Sequence, residues 1–262
     1  MKILVTGGLG FIGSNFVRKC IGENLPYEIL VLDSHTYASN QSALSEFRGR
    51  FDLVDGDIRD ANLVSMLVKS SDAVINFAAE THNDNSLVDP LPFLESNIIG
   101  TYTLLEACRE GSVRYHQVST DEVYGDLPLG GEEKFTRNSP YLPSSPYSAT
   151  KASADMLVRA WVRSFDVSAT ISNCSNNFGP YQHPEKLIPR TISLVMNGHK
   201  PKIYGDGSNV RDWIHVDDHV DGILAILERG ERGETYLLGA NSEKTNLEVV
   251  QSILRIMGKA DD

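Results

Sequence analysis

The sequence predicts an α/β fold, a doubly wound parallel sheet with a smaller carboxyl-terminal lobe, and three observations predict it. Short apolar strands alternate with helical stretches from Lys2 onward, the pattern that parallel strands with crossover helices satisfy. A glycine cluster follows the first strand at once. The run Val74-Ile75-Asn76-Phe77-Ala78-Ala79 is apolar without strict alternation, as a strand covered on both faces must be. At 262 residues and 41% hydrophobic, the chain can bury a full core. We place a first domain at residues 1–172 and the smaller lobe at residues 173–262, interleaved with it.

Taken in order, Lys2 to Thr6 reads as a buried strand, and Gly8-x-Gly10-x-x-Gly13 opens an amphipathic helix running to about Ile21. Strand, glycine turn and helix form the dinucleotide fingerprint of a Rossmann-type fold. The glycines allow a tight turn and let backbone amides approach a pyrophosphate. A second strand, Ile29 to Leu32, ends in Asp33, 20 residues after Gly13. A carboxylate there accepts hydrogen bonds from ribose hydroxyls and repels a 2'-phosphate, so it favours NAD over NADP. The alternation continues with Phe51 to Val54, Ala61 to Val68 and Ala73 to Ala79. Small Ala78 and Ala79 suit either a cofactor at the sheet edge or a helix packed on a strand end. After Pro90 and Pro92 come two long helical stretches, Phe93 to Glu110 and Ser145 to Ser164. They can cover the sheet of a monomer, or meet the same pair from a second subunit as a homodimer of four packed helices.

The chemistry concentrates in Ser119-Thr120-Asp121-Glu122-Val123-Tyr124-Gly125, where a strand opens into a loop. Thr120 can hydrogen-bond a sugar hydroxyl, and Asp121 and Glu122 can act as the acid and base that remove water from an oxidised sugar. Between Tyr124 and Tyr147 lies a Pro-, Gly- and Ser-rich surface insertion, in which Glu132, Glu133 and Lys134 read as solvated. Tyr147 and Lys151 stand at i and i+4 on one helix face. An ammonium beside a phenol, with a positive nicotinamide behind it, lowers the phenol's pKa and makes it a base. Beyond Ala169 the segment Asn173 to Pro180 ends a strand in amides and a turn suited to gripping a diphosphate or sugar. Lys186 and Arg211 can neutralise phosphate and Tyr204 can stack on a base; each also fits a surface ion pair or a packing aromatic. The two His and two Asp of Ile214-His215-Val216-Asp217-Asp218-His219 suggest a metal, but Asp217 and Asp218 at a helix start read better as caps. We assign no metal site.

The net charge of -11 and a pI near 5.1 argue against nucleic acid and anionic membrane as general partners. The amino terminus enters a strand directly, without the features of a signal peptide, and no run reaches membrane-spanning length. Cys20, Cys108 and Cys174 are widely spaced, as buried free thiols of a reducing compartment would be. A cytoplasmic protein is expected.

These residues together resemble the extended short-chain dehydrogenases/reductases that act on nucleotide sugars, and within them the dTDP-glucose 4,6-dehydratases. The resemblance runs from Met1 to about Met257. It rests on Gly7 to Asn15, Asp33 with Thr36-Tyr37-Ala38, Asp57-Ile58, Phe77 to Thr81, Thr120 to Gly125, Tyr147 with Lys151, Asn173 to Pro180, Lys186 to Pro189, and Arg211-Asp212-Trp213. The Asp121-Glu122 pair discriminates: 4-epimerases of the group usually lack both carboxylates, and the decarboxylases carry a Glu without the preceding Asp. A catalytically silent NAD-binding protein would have no use for the five-residue set.

The resemblance implies a lyase of deoxysugar biosynthesis, such as a rhamnose pathway, that converts dTDP-glucose to dTDP-4-keto-6-deoxyglucose. Tyr147 would remove the C4 hydroxyl proton as hydride passes to NAD, with Thr120 orienting that hydroxyl and Lys151 supporting Tyr147 and the nicotinamide ribose. Glu122 would take the C5 proton while Asp121 protonates the leaving C6 hydroxyl, and hydride would return to C6. It further implies NAD contacts from Gly7, Gly10, Phe11, Ile12, Gly13, Asp33, Ser34, Thr36, Asp57, Ile58, Phe77, Ala78, Ala79, Thr81, Ser96, Tyr147, Lys151 and Asn177. Substrate contacts are implied for Thr81, Thr120, Asn176, Lys186, Leu187, Lys202, Ile203, Tyr204, Arg211 and Asn246. Two departures stand out. Asn85 occupies a position where many relatives carry Arg, and family members usually continue past a point like Asp262 with a segment that closes over the substrate phosphates. Either the chain continues past Asp262, or it binds its nucleotide with a weaker clamp; a tail that orders only on substrate binding would account for the former.

Overall fold

The computed structural model describes residues 1–131 and 133–259; the reading of Glu132 as solvated and the chain end at Asp262 lie outside them. Helices and strands follow one another as β1 (Lys2–Thr6), α1 (Phe11–Gly22), β2 (Glu28–Asp33), β3 (Asp52–Asp55), α2 (Ala61–Lys69), β4 (Ala73–Asn76), α3 (Asn83–Val88), α4 (Leu91–Phe93), α5 (Thr101–Gly111) and β5 (Arg114–Thr120). Then come α6 (Pro146–Phe165), β6 (Ala169–Cys174), β7 (Asn176–Phe178), α7 (Leu187–Met196), β8 (Val210–His215), α8 (Val216–Arg229), β9 (Thr235–Leu238), β10 (Glu243–Thr245) and α9 (Asn246–Ile256).

Seven strands form one sheet in the order β3-β2-β1-β4-β5-β6-β9, and each neighbouring pair in it is parallel. The order reverses between β1 and β4. Crossovers leave that gap in opposite directions, so a crevice opens above the carboxyl ends of these strands. A second sheet, β10-β8-β7, carries the smaller lobe. The lobe sends β9 back into the main sheet beside β6.

The main sheet is covered on both faces. One core packs Ile3, Val5 and Val31 with Phe16, Val17 and Ile223 of α1 and α8; the other packs Leu4, Val74 and Tyr115 with Val64, Leu104 and Val158 of α2, α5 and α6. This double cover is why the strands read as continuous apolar runs.

A buried polar network crosses the strand ends beneath the crevice. The Thr6 hydroxyl donates to Asn76 Oδ1 at 2.6 Å, and Asn76 Nδ2 lies 3.1 Å from both Tyr115 Oη and Gln117 Oε1. Tyr115 donates to the same Gln117 oxygen. Thr6 Oγ1 also accepts from the Ala78 amide at 3.5 Å, so the network steadies the loop that follows β4. Asn76→Ala strands the Thr6 donor without a partner in a dry site. It is expected to lower stability by about 2–4 kcal/mol, read as a lower denaturant midpoint at unchanged m; an unmoved midpoint would mean that the network carries no stability.

The helical stretch expected at Phe93 to Glu110 is one rod with a defect in it. Between α4 and α5, Leu94–Gly100 is wound as a π-helix. A side chain on Gly100 would overlap Ile58, so the rod lies close against the loop after β3. The widened turn brings Ser96 and Asn97 toward the crevice. Asn97 clamps Glu80 through its amide, accepting from Glu80 N at 2.9 Å and donating to Glu80 O at 3.1 Å, and also donates to Thr150 Oγ1 at 2.9 Å. π-Bulges occur where a helix serves a site.

Among the described residues, no helix is long and apolar enough to cross a membrane. Cys20, Cys108 and Cys174 are free and buried.

Candidate active site

The crevice at the strand reversal is lined by Gly7, Gly10, Asp33, Ser34, Thr36, Asp57, Ile58, Phe77, Ala78, Ala79 and Ser96. All eleven were expected there. Its wall also includes Leu32, Ser39 and Gly56, placed by fold position, and Ala38 and Glu80, which lie inside the motifs that carry the resemblance.

Two glycines show why no other residue serves. Gly7 has φ +66°, and a Cβ on it would stand 2.6 Å from Ala78 N. A Cβ on Gly13 would overlap the Gly7 carbonyl oxygen. Gly8, the first glycine of the fingerprint, faces the other way: its Cβ would press on Val31 Cγ1 at 2.7 Å, so it is a packing glycine and Gly7 supplies the turn. Gly10 caps α1 with no side-chain hydrogen bond, which leaves first-turn amides, those of Phe11, Ile12 and Gly13, for an anion.

Asp33 is buried, and its carboxylate accepts from Leu9 N (2.9 Å), His35 N (2.9 Å) and Ser39 Oγ (2.7 Å). These bonds fix an acceptor at the crevice wall. Asp57 is held below its usual range by the Arg59 guanidinium, which outweighs the opposing effect of burial. A pyrophosphate-sized anion at α1 and a ribose at Asp33 therefore fit this crevice.

Thr120, at the carboxyl end of β5, caps a short 3₁₀ turn, Asp121–Tyr124, by accepting from Glu122 N at 3.2 Å. Thr120 Oγ1 lies 3.3 Å from Asp121 Oδ1, and Asn83 Nδ2 donates to Glu122 Oε2 at 3.4 Å. Burial and then the Glu122 charge push Asp121 up to about 7. Glu122 is also raised by burial, but Arg211 and Lys186 pull it back. The pair is therefore graded: Asp121 is held about half protonated near pH 7, while two cations favour the charge on Glu122.

Tyr147 and Lys151 enter on α6, whose start is fixed by a Ser145–Ser148 capping box and Pro146 in the first turn. Both are buried. The Tyr147 phenol is pushed well above its ordinary range by burial, then by Glu122, Cys174 and Asp121, with a Thr120 hydrogen bond pulling the other way. Lys151 Nζ donates to the Val118 carbonyl at 2.8 Å. The lowering expected from Lys151 with a positive nicotinamide behind it is opposed here chiefly by burial of the phenol, with Glu122, Cys174 and Asp121 adding to it.

On the lobe side, Lys186 reaches the Thr81 carbonyl at 3.5 Å, and Lys186 and Arg211 face Glu122. Asn176 begins β7 and Leu187 begins α7. Lys202, Ile203 and Tyr204 lie on a turn packed against the start of α9, with Asn246 close by through its bond to Asn209 O at 3.0 Å. No contact joins this outer group to the Thr120 cluster among the described residues. Asn177 is engaged inward: its Nδ2 donates to Cys174 Sγ and Ser175 O, and its Oδ1 accepts from His219 Nδ1 at 2.8 Å.

Two expectations for charged residues change. The cap of α8 is His215, which accepts from Asp217 N at 3.2 Å, while Asp217 and Asp218 sit in the first turn. Lys134 is not merely solvated; it pairs with Glu243 at 2.8 Å and Asn241 Oδ1 at 2.8 Å, tying the insertion to the lobe. Sequence reasoning also missed Asn97 and Asp155. The one signal for Asp155 was an acid four residues after Lys151 in an otherwise apolar stretch.

A glycine-cradled crevice beside a Tyr, Lys, Thr and paired-carboxylate cluster defines a class. Residues 3–239 match the NAD dependent epimerase/dehydratase family, and the chain belongs to it. Within that family it is similar to dTDP-glucose 4,6-dehydratases. It is 59% identical to that of Mycolicibacterium smegmatis, over 100% of this chain and 79% of the relative. The fold matches the dTDP-glucose 4,6-dehydratase of Bacillus anthracis in complex with NAD, with TM-score 0.92, 44% identity and 99% of this chain against 81% of that one. It also matches DesIV, the Streptomyces venezuelae dTDP-glucose 4,6-dehydratase with NAD bound, with TM-score 0.94, 44% identity, and 98% and 81% coverage.

Proposed function

We propose that this chain is an NAD-dependent dTDP-glucose 4,6-dehydratase, a lyase that forms dTDP-4-keto-6-deoxyglucose. The observation that carries the reading is the graded Asp121–Glu122 pair on the same turn as Thr120, next to Tyr147. A redox-only sugar enzyme has no work for two such carboxylates. Bound NAD supplies a reversible hydride acceptor for the sugar. Thr120 orients the C4 hydroxyl, and Tyr147, ionised when the positive ring of bound NAD lies beside it and Lys151, accepts its proton. Once C4 is a ketone, the C5 proton is acidic and Glu122 takes it. Asp121 gives its proton to the C6 hydroxyl, which leaves as water. Glu122 then returns its proton to C5 as the hydride taken from C4 is given back to C6, which completes the 4-keto-6-deoxy sugar with the cofactor restored.

Gly7, Gly10, Gly13, Asp33 and the other crevice residues hold the cofactor, with Phe11 and Ile12 amides at its phosphates and Thr81, Lys151 and Asn177 near its nicotinamide half. Lys186 and Arg211 take the substrate's phosphates, with Thr81, Asn176, Leu187, Lys202, Ile203, Tyr204 and Asn246 around the nucleotide. Residues 1–172 act as the cofactor domain and 173–262 as the substrate lobe. Reduced thiols and an acidic surface suit a cytoplasmic enzyme.

The subunits pair through the 91–111 rod and α6. Support for this comes from the exposed apolar side chains Leu91, Leu94, Ile99, Tyr102 and Met156 on those helices, which a second subunit would cover. Introducing charge with Leu94→Glu and Ile99→Glu is expected to turn a dimer into a 28.9 kDa monomer in sedimentation equilibrium; a variant that sediments as a dimer would place the interface elsewhere.

The test of function is incubation with dTDP-glucose in deuterated water without added NAD. The expected product has lost one water and carries deuterium at C5. Substrate that stays unchanged after NAD is added and UDP-glucose is tried would overturn the assignment in favour of a silent binder. An epimerised or decarboxylated product would point to a sister enzyme.

A further inference from the structure

On α6, Tyr147, Lys151 and Asp155 follow at intervals of four and share one buried face, Asp155 being fully enclosed at 0% exposure. Three donors from three other segments converge on one of its oxygens. Ser119 Oγ of β5 donates to Asp155 Oδ2 at 2.9 Å, Asn173 Nδ2 of β6 at 3.0 Å, and Tyr141 Oη of the insertion at 3.0 Å. Oδ1 is buried with no hydrogen-bond partner. Enclosing a carboxylate this way is costly unless a cation answers it; Lys151, one turn back on the same helix, makes no ion pair with it but is the buried cation whose charge acts on it.

The same donors reach the reacting groups. Asn173 Nδ2 also donates to the Thr120 carbonyl at 3.2 Å, and Asn173 Oδ1 accepts from Tyr124 Oη at 3.1 Å. Ser119 is the residue before Thr120. Resting on the dehydratase reading, we propose that Asp155 is a positioning residue for the reaction, the counter-charge that keeps enclosed Lys151 an ammonium and the anchor that holds the Thr120 turn against the helix bearing Tyr147.

The electrostatic balance agrees with this placement. Burial lowers Lys151, and Asp155 is the chief group raising it, followed by Cys174. Burial raises Asp155, opposed first by Lys151 and then by Asn173, Ser119 and Tyr141. The other titratable groups facing this set are Tyr147 on α6, Asp121 and Glu122 on the 3₁₀ turn, Tyr124, Tyr115 on β5, and Arg159, which donates to Tyr141 Oη at 3.0 Å.

The test compares pH profiles of dTDP-glucose turnover for wild type, Asp155→Asn and Ser119→Ala, with thermal unfolding measured on each. Asp155→Asn keeps the shape and removes the charge, so Lys151 loses its proton earlier. Above the decline that Asp121 sets at about 7, the alkaline step of kcat that Lys151 sets is expected to move acidward by about one pH unit or more. Ser119→Ala keeps the charge and removes one bond that favours it, so the acid limb moves to higher pH. An Asp155→Asn profile that superimposes on the wild type, with only a lower Tm, would reduce Asp155 to packing and overturn the proposal. If Asp155→Asn does not fold, Ser119→Ala decides, and an unmoved acid limb overturns it. A wild type that does not turn over dTDP-glucose would signal failure of the dehydratase reading instead. The pH dependence of NAD binding by the same proteins then carries the test, with the same two shifts expected and superimposed curves overturning it.

Discussion

Glu122→Gln is expected to stop dehydration while leaving the first oxidation intact. The glutamine keeps the length and the bond from Asn83 but has no basicity, so the C5 proton stays in place. General-base catalysis of this kind is worth roughly two to four orders of magnitude, and overall turnover should fall by that much. The oxidation step has a separate dependence. Glu122 is the leading charge that raises the Tyr147 phenol, so its neutralisation makes Tyr147 a better base. A single turnover should therefore build up reduced nicotinamide absorbance, at the wild-type rate or faster, which decays slowly. Equal loss of both steps would take the C5 proton away from Glu122. Wild-type turnover would remove it from the reaction altogether.

That separation depends on features that differ in how well the sequence displays them. The crevice was legible because its requirements are local. Gly7 and Gly13 are glycine for want of space and Asp33 ends a strand, while Ser34, Thr36, Asp57, Ile58, Phe77 and Ser96 were named through the family resemblance. The Thr120–Asp121–Glu122 turn was legible for the same reason, being contiguous. The balance at Tyr147 was not, since it is set by the depth of the phenol and by carboxylates more than twenty residues away in the chain. Asn97 and Asp155 were hidden differently. Asn97 acts because a π-helical turn directs it at Glu80, and periodicity at 3.6 residues gives no notice of a widened turn. Asp155 acts through donors from β5, β6 and the insertion, which only the fold brings together. The outer group, Lys202 to Tyr204 with Asn246, shows the converse. Resemblance proposes its role, yet among the described residues no hydrogen bond or ion pair links it to the reacting side chains.

Asp121 gives the second large effect, because its carboxyl is pushed up to about 7 by burial and the Glu122 charge whereas an unfolded Asp ionises near 3.9. As the acid of the elimination it must hold its proton, so turnover should decline as pH rises through about 7. Asp121→Asn should remove that limb and lower turnover by roughly two to four orders of magnitude. The stability effect has the opposite sign. Between about pH 4 and 7 the folded state binds more protons than the unfolded state, so stability falls across that window as pH rises and levels off above it. Above about pH 7 the folded protein carries an ionised, enclosed carboxylate, at a cost on the order of a few kcal/mol. Asp121→Asn should thus match the wild-type Tm near pH 4 and exceed it by several degrees near pH 8. A gap independent of pH would mean that Asp121 ionises like an exposed carboxylate, and it would then be charged at neutral pH and unable to serve as the acid. A residue whose replacement stabilises the fold while abolishing turnover is one held in place for its chemistry, and the two measurements on one variant separate that role from a packing role.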